Sequence, residues 1–209
     1  MSIFISIGSA CSTRSHIQKY NKVASQIAYF FDWLIVDMES VIQLLQHYKD
    51  FDNYFSKSHI LHTGNFSYGA HMKFTRVPTC EFLHDLQPNY TPQKLDEFIE
   101  KYKRRYARIL DHIRSTSHLY FVFKGTLTHA HVIEFSNTIK TINPQCNFTL
   151  VYIVKDDVPP IIEPHFIQIS AAPYKIKDFK EAKITWKELN YDWFACFNAI
   201  LELTRSITT

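Results

Sequence analysis

Glycine is scarce in this sequence, with only 4 glycines among 209 residues. So low a content argues against a flexible protein and against a glycine-rich loop. The chain also has no uninterrupted apolar run long enough to cross a bilayer. Its first residues do not show the charged segment and following apolar segment that are typical of a secretory signal peptide. We therefore expect a protein without a membrane span that stays in the cytoplasm.

Cysteine is also sparse, and the spacing of the cysteines argues against metal binding. The four cysteines are Cys11, Cys80, Cys146 and Cys196, and no two of them form a Cys-x-x-Cys pair. This spacing fits neither a disulfide scaffold nor a zinc ribbon, and the histidines lack the tight i, i+4 repeat of a zinc helix. We expect no metal site, and in a reducing compartment a free thiol can stay reactive.

The net charge is only +3, which suits anionic ligands but falls well short of a dedicated nucleic-acid binder. Apolar residues make up 46% of the chain and aromatic residues 15%, so one substantial core can form. We predict a single domain over residues 1–209 and no nucleic-acid partner.

Apolar runs and helical patterns succeed one another along the chain. The runs that predict buried strands are Leu119–Phe123, Phe148–Val154 and Phe166–Ile169. The patterns that predict helices lie at about 37–48, 92–114, 128–142 and 192–204. Strands without polar alternation, separated by helices, predict an α/β fold with a mainly parallel sheet and helices on both faces. Ligands in such folds bind at the carboxyl ends of the strands.

The apolar residues between positions 51 and 92 recur with no sustained helical or strand period, and this segment contains several prolines and two glycines. We expect a long irregular segment here that carries active-site residues, since loops held by a scaffold often do. Its histidines are His59, His62, His71 and His84.

Cys11 follows a short strand-like run that stops at Gly8, and Ser12 or Thr13 then caps a predicted helix. A thiol at a helix start is more acidic than usual, because the backbone N–H groups there favour negative charge. Cys11 is therefore a candidate nucleophile. The alternative is a buried, inert cysteine in a tight turn.

Asp32 stands alone among large hydrophobic residues. It is either solvated at the end of an element or buried against a specific donor, because an unpaired buried carboxylate is very costly.

In the predicted helix at 92–114, Arg105 and Arg108 lie about one turn apart on a basic face. A solvated face is the favoured interpretation, although the two guanidiniums could together clamp a phosphate.

Four short motifs are distinctive, namely Phe4–Cys11, Phe31–Trp33, Phe82–Asp85 and Tyr102–Arg108. Together they resemble a family of papain-like cysteine peptidases of unknown function. The family is similar in outline to CoA-binding acetyltransferases of capsule loci. The resemblance implies that Cys11 is the nucleophile and His84 its base, with Asp32 or Asp85 orienting the histidine.

A thiolate paired with an imidazole can form a thioester and pass the acyl group on. The first prediction is an acyltransferase that moves an acetyl group from acetyl-CoA to an amine or hydroxyl of a sugar or nucleotide-sugar. We expect it to be fused to other glycan-synthesis domains or to act with them. The residues predicted to bind the cofactor are Ser9, Ser12, Arg105, Arg108 and Lys124. The alternatives are a cysteine peptidase or deamidase with the same Cys-His pair, and a non-catalytic glycan-binding module.

Overall fold

The computed structural model describes residues 2–8, 11–20, 27–67, 69–115, 117–175 and 191–208, without the side chains of residues 11, 12, 19 and 206–208. The helices are α1 (Cys11–Tyr20), α2 (Met38–Gln46), α3 (Phe51–Tyr54), α4 (Pro92–Ile113), α5 (His129–Ile142) and α6 (Trp193–Thr208). The strands are β1 (Ser2–Ser6), β2 (Leu34–Val36), β3 (Ile60–Phe66), β4 (Gly69–Phe74), β5 (Cys80–Phe82), β6 (His118–Phe123), β7 (Phe148–Val154), β8 (Ile161–Glu163) and β9 (Phe166–Ser170).

The larger sheet has five strands in the order β1-β6-β7-β9-β8. The first four are parallel to one another, and β8 pairs antiparallel to β9 at the edge. The predicted α/β fold with a mainly parallel sheet is confirmed.

Helices cover both faces of this sheet, because successive side chains of a strand point to opposite sides. Phe4 and Tyr120 pack in the cluster that includes α1 and α6. Their neighbours Ile5 and Phe121 pack in the cluster that includes α4 and α5. Both faces are therefore buried, which is why these strands are continuously apolar in the sequence.

A second sheet of four antiparallel strands has the order β2-β5-β4-β3. Three of its strands and α3 come from residues 51–92, where the sequence predicted an irregular segment. The sequence did not predict the strands of this segment, for two reasons. Strand β3 is exposed along almost its whole length, so no apolar alternation marks it, and β5 has only three residues.

One hydrophobic cluster joins the two sheets, since it contains both Phe82 of the smaller sheet and Phe121 of the larger one. Phe30 belongs to this cluster and is fully buried. Its ring packs against six other aromatic rings, those of Phe31, Phe51, Phe55, Phe82, Tyr102 and Tyr106. Among the described residues, no helix combines the length and the apolar character needed to span a membrane.

Candidate active site

Gly8 closes the turn that follows β1. Its φ is +151°, which L side chains rarely adopt. A Cβ on Gly8 would lie 2.9 Å from the Phe123 ring and 3.0 Å from the carbonyl oxygen of Val36. The backbone of the turn thus passes so close to the ends of β6 and β2 that only glycine fits.

Helix α1 begins at Cys11, three residues beyond Gly8. This is the predicted strand-turn-helix unit, and it brings the backbone of Cys11 to the carboxyl end of β1. Ser9 lies outside the described residues, as do the side chains of Cys11 and Ser12. The reactivity of Cys11 and the binding roles of the two serines therefore stay predictions.

Asp32 is fully buried against specific donors, which decides between the two alternatives that the sequence left open. Its Oδ2 lies 2.9 Å from Nε of Arg14, and the side chain of Arg14 is only 2% exposed. The backbone N–H of Tyr29 donates to the same oxygen at 2.7 Å. Arg14 also donates from Nη2 to the carbonyl oxygen of Ile27. The first turn of α1 is thereby anchored to residues 27–32.

Burial raises the pKa of Asp32 to about 7, although the guanidinium of Arg14, the N–H of Tyr29 and the guanidinium of Arg105 all oppose this rise. Burial also lowers the pKa of Arg14. The next residue, Trp33, has a φ of +69°, an uncommon conformation for a bulky side chain. The turn at Asp32 therefore combines a costly buried charge with an unfavourable backbone conformation, and both features are common at functional sites.

His84 lies in the turn between β5 and α4 and is exposed. The turn packs over Gly69, where a Cβ would lie 2.9 Å from the carbonyl oxygens of Leu83 and Leu86. The backbone N–H of Ala70 donates to the Leu86 oxygen at 2.8 Å. The turn that presents His84 is thus held closely against β4.

Asp85, the neighbour of His84, is anchored to α4. The hydroxyl of Tyr102 donates to its Oδ2 at 2.6 Å, and Lys101 forms an ion pair with it. Nη1 of Arg105 lies 3.9 Å from Oδ1. Asp85 therefore holds the His84 turn on the helix through three contacts.

The basic residues predicted to bind CoA lie in separate environments. Arg105 is largely buried, faces Asp85 and stacks on the ring of Tyr102 at 4.8 Å. Arg108 donates to the carbonyl oxygen of Ala28 at 2.9 Å. Nζ of Lys124 lies 6.0 Å from the centre of the Trp193 ring. Arg105 and Arg108 thus make separate contacts within the protein, and their role toward a cofactor stays a prediction.

Further imidazoles lie on the surrounding elements. His16 of α1 is buried and stacks on Trp193 with ring centres 4.6 Å apart. His112 of α4 lies with Nε2 at 2.9 Å from the hydroxyl of Tyr29. On the smaller sheet, Nε2 of His71 lies 3.1 Å from a carboxylate oxygen of Glu81.

An open groove of about 650 Å³ runs beside the His84 turn, along the first half of α4. Its lining mixes charged and apolar side chains: Asp85, Leu86, Gln93, Lys94, Asp96, Glu97, Phe98, Glu100, Lys101 and Arg104. Within the part of the chain that the structure describes, no group of three His, Cys, Asp or Glu side chains is arranged to hold a metal ion.

A model of the family described as "Putative papain-like cysteine peptidase (DUF1796)" matches residues 2–157. The chain belongs to this family. The match runs from β1 through β7 and includes Cys11, Asp32 and His84. Membership in the papain-like family confirms the resemblance seen in the four sequence motifs, and the family's name indicates cysteine catalysis. No curated protein and no solved structure matches the chain.

Arg14, the charged partner of Asp32, was not predicted from the sequence. A signal was present, because a buried carboxylate needs a cation and Arg14 stands in the first turn of the helix that begins at Cys11. What the sequence could not show is that the turn at residues 27–32 passes this particular face of α1.

Proposed function

We propose that the protein is a cysteine-dependent hydrolase of peptide or side-chain amide bonds, with Cys11 as nucleophile and His84 as general base. The supporting observation is the start of α1 at Cys11, directly after the Gly8 turn at the carboxyl end of a parallel strand. The N-terminus of a helix stabilises a thiolate, which is the nucleophilic form of cysteine. The papain-like family favours this hydrolytic alternative over acetyl transfer.

The reaction follows from these two groups. The Cys11 thiolate attacks the carbonyl carbon, a C–S bond forms, and the backbone N–H groups at the start of α1 stabilise the oxyanion. The C–N bond breaks as protonated His84 gives its proton to the leaving nitrogen. Water then loses a proton to His84 and attacks the thioester, which releases the carboxylic acid and restores the thiolate.

The two acidic residues act on different parts of this machinery. Asp32 is paired with Arg14 and so acts on the helix that carries Cys11. Asp85 is held by Tyr102 and Lys101 and so acts on the turn that carries His84. We therefore assign Asp85 to the base and Asp32 to the nucleophile's helix.

The groove beside the His84 turn supports a polypeptide substrate. An extended chain needs an open channel rather than a closed cavity, and the groove of about 650 Å³ runs along α4 next to Asp85. Its mixed lining provides both apolar contact and hydrogen-bonding groups for a peptide.

Acetyl transfer from acetyl-CoA to a sugar or nucleotide-sugar is the second candidate. The parallel sheet favours it, because α/β enzymes bind nucleotide cofactors at the carboxyl edge where Cys11 lies. Binding of CoA phosphates by Arg105 and Arg108 would compete with their contacts to Asp85 and Ala28.

Thiol labelling is the first test. Cys80, Cys146 and Cys196 are buried, and burial raises the pKa of all three thiols, to about 11 for Cys146 and about 12 for Cys196. Iodoacetamide at neutral pH should therefore add one adduct to the native protein, measured by intact mass. Cys11→Ala should lose this adduct and Cys196→Ala should keep it; an adduct that persists in Cys11→Ala would contradict a reactive Cys11.

Activity is the second test. The wild type, Cys11→Ala and His84→Ala are incubated with a mixed peptide library, and mass spectrometry detects cleavage or deamidation. We expect activity that disappears in Cys11→Ala and falls about 100-fold or more in His84→Ala. An acetyl adduct on Cys11 from acetyl-CoA, without hydrolysis of any peptide, would instead support the transferase. Neither activity would leave a non-catalytic binding module.

A further inference from the structure

The groove beside the His84 turn is lined by many charged side chains, and nearly all of them are paired within the protein. The pairs are Asp85 with Lys101, Lys94 with Glu97, Asp96 with Lys57 and Glu100 with Lys103. Arg104 is the remaining charged residue of the lining. Within the part of the chain that the structure describes, its guanidinium has no ion pair and no hydrogen bond.

Arg104 lies at the end of the groove that is nearest to the proposed base. The α4 residues of the lining run from Gln93 to Arg104. Arg104 stands three residues after Lys101, so the two side chains lie on one face of α4, one turn apart. Lys101 in turn pairs with Asp85, the chain neighbour of His84. The unpaired guanidinium is therefore one helical turn away from the contact that holds the His84 turn.

The charge of Arg104 is available to a ligand, whereas the other cations of the groove are not. Lys94 and Lys101 would have to leave a carboxylate of the protein before they could bind another anion. Arg104 is exposed, so it can bind an anion without breaking an internal contact. Since the other charges of the lining are neutralised by their partners, the groove presents an uncompensated positive charge at this end.

We propose that Arg104 is a specificity-determining residue that binds the carboxylate of an Asp or Glu side chain in the substrate. A planar guanidinium can donate two parallel hydrogen bonds to a carboxylate, which adds orientation to the charge attraction. This role rests on the proposed function, since it takes the groove as the site of a polypeptide substrate. The acidic residue should stand within a few positions of the bond that reacts, because Arg104 is so close to the His84 turn.

The products of the mixed peptide library test this preference. Mass spectrometry identifies the peptides that are cleaved or deamidated and gives the residue frequencies around the bond that reacts. With the wild type, Asp and Glu should be enriched about fivefold at one position near that bond. Arg104→Met should remove this enrichment. Arg104→Glu should reverse it, so that Lys and Arg are enriched at the same position.

The control variant is Arg114→Glu, which reverses the same charge at the exposed end of α4, outside the groove lining. It should keep the enrichment of acidic residues. Sodium chloride at about 0.5 M should weaken the enrichment in the wild type, because salt screens an exposed ion pair. Arg104→Met keeps the test decisive if Arg104→Glu disturbs Lys101, since it removes the charge without adding a competing carboxylate.

A binding measurement in the Cys11→Ala background needs no reaction. Two fluorescein-labelled peptide pools share the same apolar residues, and one carries Asp and Glu where the other carries Lys and Arg. Fluorescence anisotropy should show that the acidic pool binds about fivefold more tightly. The addition of Arg104→Met should remove this difference, and the addition of Arg114→Glu should leave it in place.

The outcomes separate the two proposals. Hydrolysis with no preference for acidic residues, or with a preference that persists in Arg104→Met, would overturn the role of Arg104 and leave the proposed function intact. Binding of the acidic pool that depends on Arg104, with no hydrolysis of any peptide, would reject the hydrolase and uphold Arg104 as the site for acidic peptides. The absence of both hydrolysis and binding would overturn the two proposals together.

Discussion

At the scale of single residues, stability alone does not explain the buried ion pair of Arg14 and Asp32. Both side chains are buried, and removing two charges from water costs several kcal/mol for each ion, on the order of what their attraction returns. Hydrophobic residues of similar volume often serve stability as well as a buried ion pair does. The pair is better explained by what it positions, the first turn of the helix that begins at Cys11.

The pH dependence of stability tests this pair. The pKa of Asp32 is about 7 in the folded protein, against an ordinary value of 3.8. Between these values the folded state holds a proton that the unfolded chain releases, so the free energy of unfolding falls as pH rises. Arg14→Met removes a cation that lowers this pKa, so the fall should continue above pH 7. The destabilisation caused by Arg14→Met should therefore grow above about pH 7, by up to about 1.4 kcal/mol per pH unit.

Urea unfolding at several pH values between about 5.5 and 8.5 measures this growth. The double variant Arg14→Met, Asp32→Asn is the control, because without the carboxyl group the extra pH dependence should vanish. A destabilisation by Arg14→Met that is the same at all pH values would contradict the raised pKa of Asp32.

At the scale of elements, the sequence signals at the starts of α4 and α5 correspond to real caps, whereas the prediction that Ser12 or Thr13 caps the first helix is wrong, because α1 already begins at Cys11. Thr91 accepts from the Lys94 N–H at the start of α4, with Pro92 in the first turn. Thr128 accepts from the His131 N–H at the start of α5. These signals are local, so they can be recognised without knowing the fold. Strand β3 has no such signal, because its pairing with β4 is made by backbone groups that any sequence carries.

Gly8 makes the unit of β1 and α1 possible, and its replacement tests that unit. Gly8→Ala should lower the free energy of unfolding by about 1–3 kcal/mol, because the backbone conformation is unfavourable for alanine and its Cβ would meet Phe123 and Val36. Gly64→Ala is the matched control, since a Cβ there meets no atom within 4 Å. Equal losses for the two variants in urea unfolding would show that the Gly8 turn is not under this constraint.

At the scale of the whole molecule, the two sheets share one hydrophobic core that includes Phe30. The ring of Phe30 meets α3, β5 and α4, so the smaller sheet and the long helix pack against one side chain. Elements that share a core in this way are expected to unfold together.

Unfolding of the variant Phe30→Ala tests this cooperativity. Wild-type unfolding in urea should give one transition with coincident far-ultraviolet circular dichroism and tryptophan fluorescence curves. Phe30→Ala should lower the free energy of unfolding by about 3–5 kcal/mol while the two curves stay coincident. Phe66→Ala, at a position that is 42% exposed, should cost about 1 kcal/mol or less. Two separate transitions in the wild type would show that the sheets are independent units.

The buried strands, the long helices and the strand-turn-helix unit at Cys11 can be recognised in the sequence, because each leaves a pattern in residues that are close together in the chain. Which residues surround that unit depends on how distant elements pack. Asp32 has Arg14 as its partner, and Asp85 has Tyr102 and Lys101, across separations of 18, 17 and 16 residues that carry no sequence period. A buried charge reveals that it needs a partner, but the packing of the elements selects which one.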